Sequence, residues 1–235
     1  MFYPTPFFHH LSSQNKSSFT YAKLLLGGDF GTEELFKHDI HGKCLDIGTG
    51  ETGLLANCLL GIGAKQVVAT DIDEQAISWA SQASNRSAEI SWQHCDLFPE
   101  KLPRETYEFI VSNPPQMPMP RPGHFHDYGG PDGKIYIRRI IEQSRQLLTS
   151  SGKLFLLCFD FLGIDADDCE NSISGIAQEF GMETRILSKH PRAIRVGGET
   201  AKNIGWIETI HPWYSFKKTS ENVLSCDIVL LQISR

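Results

Sequence analysis

Five short strand-like runs, at 43–47 (KCLDI), 66–70 (QVVAT), 89–93 (EISWQ), 107–112 (YEFIVS) and 153–159 (KLFLLCF), recur along the chain with helix-like segments between them. In 52–60, Leu54, Leu55, Cys58 and Leu59 share one helical face, and Thr52 is placed to cap it. In 73–84, Ala76, Ile77, Ala80 and Ala83 do the same, and 133–149 carries Ile137, Ile140, Ile141 and Leu148 before stopping at Ser151-Gly152. A further helix is predicted over 168–180, ending near Gly181. Alternating strand and helix predicts a parallel sheet with helices on both faces. After Gly181 the rhythm changes: 182–188 and 222–234 read as strands with no crossover helix between them, and such a pair runs antiparallel at a sheet edge. The expected fold is therefore α/β, a seven-stranded, mostly parallel, doubly wound sheet whose last two strands form an antiparallel edge pair.

Residues 1–41, aromatic, His-rich and then Ser-rich, read as an irregular or partly helical lead-in or lid, with a short helix at 21–26. The sheet-forming domain takes 42–235, with an insertion at 189–221 between the last two strands. That insertion concentrates charge, six Lys or Arg against two Glu over 189–218, within a chain of net charge −6. A net acidic chain disfavours a nucleic-acid partner, which calls for a basic surface. The six cysteines are scattered without a C-x-x-C pair, as suits reduced thiols rather than a disulfide frame or a zinc site. No basic start with an apolar run marks a signal peptide, and no run approaches the ~20 apolar residues of a membrane helix. A cytoplasmic enzyme, with no membrane partner and no metal, is the expectation; the oligomeric state is not legible.

The turn after the first strand reads LDIGTGETG, so Gly48, Gly50 and Gly53 form G-x-G-x-x-G between a strand and a helix. Glycines there let backbone approach a nucleotide-like ligand, whether NAD, FAD or S-adenosylmethionine. Asp71, at the end of the second strand and followed by Ile72, is placed to accept both ribose hydroxyls of any of them. Three features favour S-adenosylmethionine. Asp46, just ahead of Gly48-Thr49-Gly50, would repel a pyrophosphate but attract an ammonium and a sulfonium. Asp96 ends the third strand, placed to accept from an adenine amino group, with Leu97 offering its backbone N–H. The fourth strand ends in Asn113-Pro114-Pro115-Gln116, which a dinucleotide fold does not need. Methylating a planar nitrogen requires its lone pair to be aimed at the methyl carbon. The Asn113 side-chain oxygen and the Pro114 carbonyl can hold the acceptor's N–H groups in that orientation, and the paired prolines stiffen the turn. Asn113 also faces the cofactor.

With these residues in place, 42–160 resembles the class I S-adenosylmethionine-dependent methyltransferases, in the branch with N-P-P-[YF], and most closely the HemK-type protein-glutamine N-methyltransferases. The likeness is carried by Asp96-Leu97-Phe98, by the run 110–115 (IVSNPP), and by Gly129-Gly130-Pro131-Asp132-Gly133. It implies a Rossmann-like sheet, S-adenosylmethionine as cofactor with S-adenosylhomocysteine as product, and a closing segment over the methionine end at Phe30-Gly31-Thr32. It also implies Pro115 and position 116 at the acceptor. This chain departs from that branch in three ways. Gln116 replaces the stacking aromatic, which disfavours a flat nucleobase. Some 40 leading residues do not supply the helical substrate domain of the bacterial enzymes. The insertion is longer than the core needs, and its Trp206, His211, Trp213 and Tyr214 read equally as a substrate cover or as core packing. His124 and His126, spaced H-x-H after the prolines, fit loop residues beside the acceptor that take a proton better than metal ligands. The expected reaction is methyl transfer to an amino or amide nitrogen of a protein, with glutamine first, or of a small molecule. The rivals are a nucleobase methyltransferase, a non-catalytic S-adenosylmethionine-binding module, and a nicotinamide enzyme that Asp46 disfavours.

Overall fold

The computed structural model describes residues 40–100, 104, 106–123, 126–165, 171–194, 196–218 and 223–235. The expected helix at 21–26, Phe30, Thr32 and His124 lie outside them. In chain order the elements are β1 (Lys43–Ile47), α1 (Leu54–Gly61), β2 (Gln66–Asp71), α2 (Glu74–Ala83), β3 (Ile90–His94), β4 (Tyr107–Ser112), α3 (Ile135–Leu147) and β5 (Leu148–Phe159). There follow α4 (Ile173–Glu179), β6 (Glu183–Ala193), α5 (Glu199–Ile210), β7 (Lys217–Lys218) and β8 (Leu224–Ser234).

The sheet order is β3-β2-β1-β4-β5-β8-β6, with the two-residue β7 paired to β8. β3 through β5 are parallel, whereas β8 runs antiparallel to both β5 and β6. Successive strand residues supply two cores. Leu45, Ile47, Ile110, Leu154 and Leu156 pack with Ile137, Ile140 and Ile141 of α3 and Ile173 and Ile176 of α4. On the other face Cys44, Phe109, Val111, Phe155 and Leu157 pack with Leu54, Leu55 and Leu59 of α1. Burial on both faces is why these strands read as unbroken apolar runs. The chain winds from β1 outward to β3, then returns to place β4 on the other side of β1. Ligands bind at such a reversal, beyond the carboxyl ends of the strands, and the glycine turn and Asn113 both sit there.

Several expectations are corrected. Thr52 does not cap α1: Gly53 stands at that position in a left-handed conformation with no side-chain cap, and the backbone N–H of Ala56 is instead taken by Asp46 from β1. The cap comes from the neighbouring strand because the sharp glycine turn brings β1's end beneath the helix start. β5 begins at Leu148, five residues before the expected 153, since Leu148 pairs with Tyr107 across an irregularity that ends at Lys153. Gly152 makes this possible, because a Cβ there would lie 2.9 Å from the backbone of both Thr149 and Tyr107. Of the helix expected over 168–180, α4 takes Ile173–Glu179, and 168–170 lie outside the described residues. β6 extends to Ala193, through the first part of the expected insertion, and a helix, α5, stands where only irregular chain was expected between the closing strands. β6 is the outer strand of its pair and carries Lys189 and Pro191, residue types that discourage further strand addition. No helix among the described residues is long and apolar enough to cross a membrane.

Candidate active site

The turn after β1 is shaped by backbone that only glycine adopts cheaply. Gly48 and Gly50 have φ of 72° and 65°, and a Cβ at either would meet no atom within 4 Å. They keep open the space over the turn, a cradle that side chains would fill. Asp46 lies beneath the turn, fully buried, rather than lining the open cleft. Its Oδ2 accepts from Thr49 Oγ1 at 2.6 Å and from Ala56 N at 2.9 Å. Its Oδ1 is buried without a hydrogen-bond partner among the described residues. Burial pushes this carboxyl up to about 7; the Thr49 and Ala56 bonds lower it, and the Asp71 charge adds to the rise.

Asp71 is half-buried and ties the turn to the next strand: Oδ2 accepts from Gly50 N at 2.8 Å, and Oδ1 from Asp73 N at 2.9 Å. Each oxygen keeps a lone pair for a further donor. Ile72 beside it is 56% exposed, an apolar side chain at the strand end, and its carbonyl lies 3.0 Å from His94 Nε2. At the end of β3, Asp96 is gripped by both Arg139 Nη atoms, at 2.9 and 3.2 Å, from α3. The pair is exposed, so its contribution is orientation of the carboxylate more than stability. Leu97 follows with φ of 64°.

At the end of β4, Ser112 Oγ donates to Ile47 O at 2.9 Å, locking β4 to β1 immediately before Asn113. Asn113 and Pro114 open on a cavity of ≈ 290 Å³, also lined by Gln116, His126, Phe159, Phe161 and Arg192. Phe159 and Phe161 stack with centroids 5.4 Å apart, and the Arg192 guanidinium carbon lies 5.6 Å from the Phe159 ring centre. The start of α5, at Gly198, Glu199 and Thr200, forms the far wall.

Gln116 is 5% exposed, and its side-chain amide is spent on backbone. Nε2 donates to Leu157 O at 2.9 Å and, at 3.3 Å, to Pro114 O, while Oε1 accepts from Phe159 N at 2.8 Å. Pro114 and Pro115 have no N–H to continue the β4–β5 ladder. The Gln116 amide supplies the missing donor and acceptor, so this residue, expected at the acceptor, lines the cavity while holding the Asn-Pro-Pro turn against β5. Gln116→Leu leaves the buried Leu157 carbonyl and the part-buried Phe159 N–H without this partner. The expected cost of about 2–4 kcal/mol appears as a fall of about 5–10 °C in Tm by scanning calorimetry.

The pattern of the methyltransferase small domain matches residues 14–190. The chain belongs to the methyltransferase small domain family. Among curated proteins, it is 31% identical over 124 residues to a release factor glutamine methyltransferase of Streptococcus pneumoniae, covering 48% of this chain and 44% of that one. It is 36% identical over 72 residues to a ribosomal protein L11 methyltransferase of Chromohalobacter salexigens, covering 30% of this chain and 23% of that one. The chain thus spans less than half the length of these relatives. In fold it is similar to the ribosomal protein L11 methylase of Lactobacillus delbrueckii subsp. bulgaricus, with TM-score 0.54, 20% identity, and coverage of 92% of this chain and 79% of that one.

In this methyltransferase-family chain, Asp46, Gly48, Thr49, Gly50, Asp71, Ile72, Asp96 and Leu97 gather at the ends of β1, β2 and β3, while Asn113, Pro114, Gln116 and His126 line the neighbouring cavity. The aromatic cluster of the insertion does not line that cavity. His211 Nε2 lies 2.8 Å from Pro131 O, and Tyr214 Oη donates to Asp132 O at 2.7 Å. His211 and Tyr214 stack at 4.7 Å, with Trp206 and Trp213 edge-on to His211. Of the two readings, packing holds for His211 and Tyr214, which clamp the Gly-Gly-Pro-Asp-Gly loop, whereas Trp213 is 49% exposed. Phe159, Phe161 and Arg192 were missed. The two Phe follow the same strand-end rule that singles out Asn113, applied to β5; Arg192 has no local signal.

Proposed function

We propose that this chain binds S-adenosylmethionine over the glycine turn and transfers its methyl group to an amino or amide nitrogen held at Asn113-Pro114. The carrying observation is the adjacency of Asn113 and Pro114 to the glycine turn at the sheet reversal, opening on a cavity of ≈ 290 Å³. Two local features fit the cofactor: the open cradle over Gly48 and Gly50, and the unpartnered buried oxygen of Asp46, suited to a nearby cationic group or a bridging water. In this reading the turn holds the methionine end, with the Asp46 charge acting on it from beneath, Asp71 serves the ribose, Ile72 one face of the adenine, and Asp96 and Leu97 N–H its edge.

S-adenosylmethionine, when bound, supplies an electrophilic methyl group on a sulfonium. The protein's part is orientation. Asn113 Oδ1 and Pro114 O each accept an N–H of the acceptor nitrogen, turning its lone pair toward the methyl carbon and favouring pyramidal nitrogen as the bond forms. Pro114 O already receives Gln116 Nε2 and has its second lone pair for this. His126, at the rim, takes the proton released afterwards.

The acceptor favoured is a glutamine side chain of a protein, supported by the likeness to release factor glutamine methyltransferases. A small metabolite also suits the cavity size. A nucleobase is disfavoured, because the residue after the prolines is a fully engaged amide with no ring to stack. The test is transfer of radiolabelled methyl from S-adenosylmethionine into a cell extract separated into protein, nucleic-acid and small-molecule fractions, with hydrolysed protein analysed for N5-methylglutamine. Label in the protein fraction as that amino acid is expected. Label in nucleic acid overturns the acceptor class. Label nowhere, with S-adenosylhomocysteine still raising the Tm, replaces transfer by a binding role.

A further inference from the structure

Thr70 belongs to no motif. It is the penultimate residue of β2, fully buried, and β2 lies between β1 and β3 in the sheet. Its carbonyl accepts from both Gly48 N and Thr49 N, each at 2.9 Å, so it anchors the start of the glycine turn. Its hydroxyl lies 2.7 Å from Leu97 O, with Asp46 O a longer alternative at 3.4 Å. A hydroxyl has one proton to give, and the shorter contact takes it.

What that bond holds is under strain. Leu97, at φ 64°, is the only non-glycine residue at positive φ among the described residues. Its turn is closed by Phe98 N donating to Asp96 O at 2.8 Å, a three-residue turn rare for a side-chain-bearing residue. Such a conformation persists only where its surroundings over-determine it. The Thr70 hydroxyl, on a fully buried side chain, restrains that carbonyl. Arg139 restrains the neighbouring Asp96 from the other side.

We propose that Thr70 is a positioning residue that holds both ends of the cofactor cleft in register, its carbonyl setting the glycine turn and its hydroxyl setting the Leu97 turn that presents the adenine-reading groups. This rests on the cofactor site described under Proposed function. Substituting the side chain leaves the carbonyl in place, so the effect falls on the adenine end. Without the hydroxyl, Leu97 relaxes from positive φ, and its N–H and the Asp96 carboxylate leave the edge of the base.

Calorimetric titration of the full chain with S-adenosylhomocysteine and with S-inosylhomocysteine, whose base inverts the donor and acceptor pattern along that edge, tests this. Thr70→Val is expected to bind S-adenosylhomocysteine roughly 10- to 30-fold more weakly and to lose most of the wild-type preference for it over the inosyl compound. Thr70→Ser, which retains the hydroxyl, restores both. Should Thr70→Val fail to fold, Thr70→Ala, which likewise lacks the hydroxyl, is judged by the same criterion. Weaker binding with an unchanged preference assigns Thr70 to packing alone and overturns the proposal, as does full affinity in the Val variant or failure of Ser to rescue. A wild-type protein that binds neither compound sinks the cofactor reading itself, a result distinct from any of these.

Discussion

Asn113→Ala is expected to slow methyl transfer by about 10²- to 10³-fold while changing S-adenosylhomocysteine affinity by less than about threefold. The size of the effect follows from what the side chain is asked to do. An amide or amino nitrogen is a poor nucleophile until its lone pair is localised and aimed, and two preorganised acceptors achieve that without moving during the reaction. Those acceptors are rigidly based. Ser112 is fully buried and bonded to Ile47 O; Pro114 and Pro115 fix the backbone on the other side; Gln116 clips the turn to Leu157 and Phe159. Deleting the amide removes one acceptor and leaves this frame standing, so folding is little affected. Single-turnover transfer of labelled methyl, beside a thermal-shift titration with S-adenosylhomocysteine, separates the two quantities. Equal transfer rates for wild type and variant would remove Asn113 from the mechanism.

The second large effect concerns pH. Burial raises the Asp46 carboxyl from 3.8 to about 7 in the folded protein, with Thr49 and Ala56 opposing the rise and Asp71 adding to it. If the ionised form favours the cationic methionine end, S-adenosylhomocysteine affinity rises with pH. The ionised fraction grows about tenfold between pH 6 and pH 8, and apparent affinity follows that fraction. The sign for stability is opposite. Between about 4 and 7 the folded state binds more protons at this site than the unfolded chain, so the unliganded protein loses this contribution as pH rises and levels off above 7. Asp46→Asn keeps an oxygen for Thr49 and Ala56 but does not titrate. It is expected to flatten both profiles and to bind about tenfold more weakly than wild type at pH 8. Titration calorimetry and thermal melts at pH 6, 7 and 8 read both; a wild-type affinity independent of pH would remove Asp46 from the cofactor site.

What the sequence by itself determined was whatever depends on neighbours in the chain. β1 and β4 were read at their observed bounds, because burial on both faces leaves an apolar run that ends where the turn residues begin. The antiparallel relation of 182–188 to 222–234 was legible too, although a helix occupies the connection. The succession of glycine turn, Asp71, Asp96 and Asn-Pro-Pro at strand ends identified the family's pattern because each strand end faces the same edge of a parallel sheet.

Only the tertiary structure decided which distant groups complete those local features. The cap of α1 comes from Asp46, and the ladder beyond β4 is continued by Gln116 to partners 41 and 43 residues away. His211 and Tyr214 of the insertion grip a loop 80 and 82 residues away, whereas the cavity is lined by Arg192 and the start of α5. Leu97 is held at positive φ by a hydroxyl 27 residues earlier in the chain. Hydrogen bonds of this kind have no period and no fixed spacing. They exist because folding removes backbone donors and acceptors from water, and whichever side chain the topology brings alongside must satisfy them.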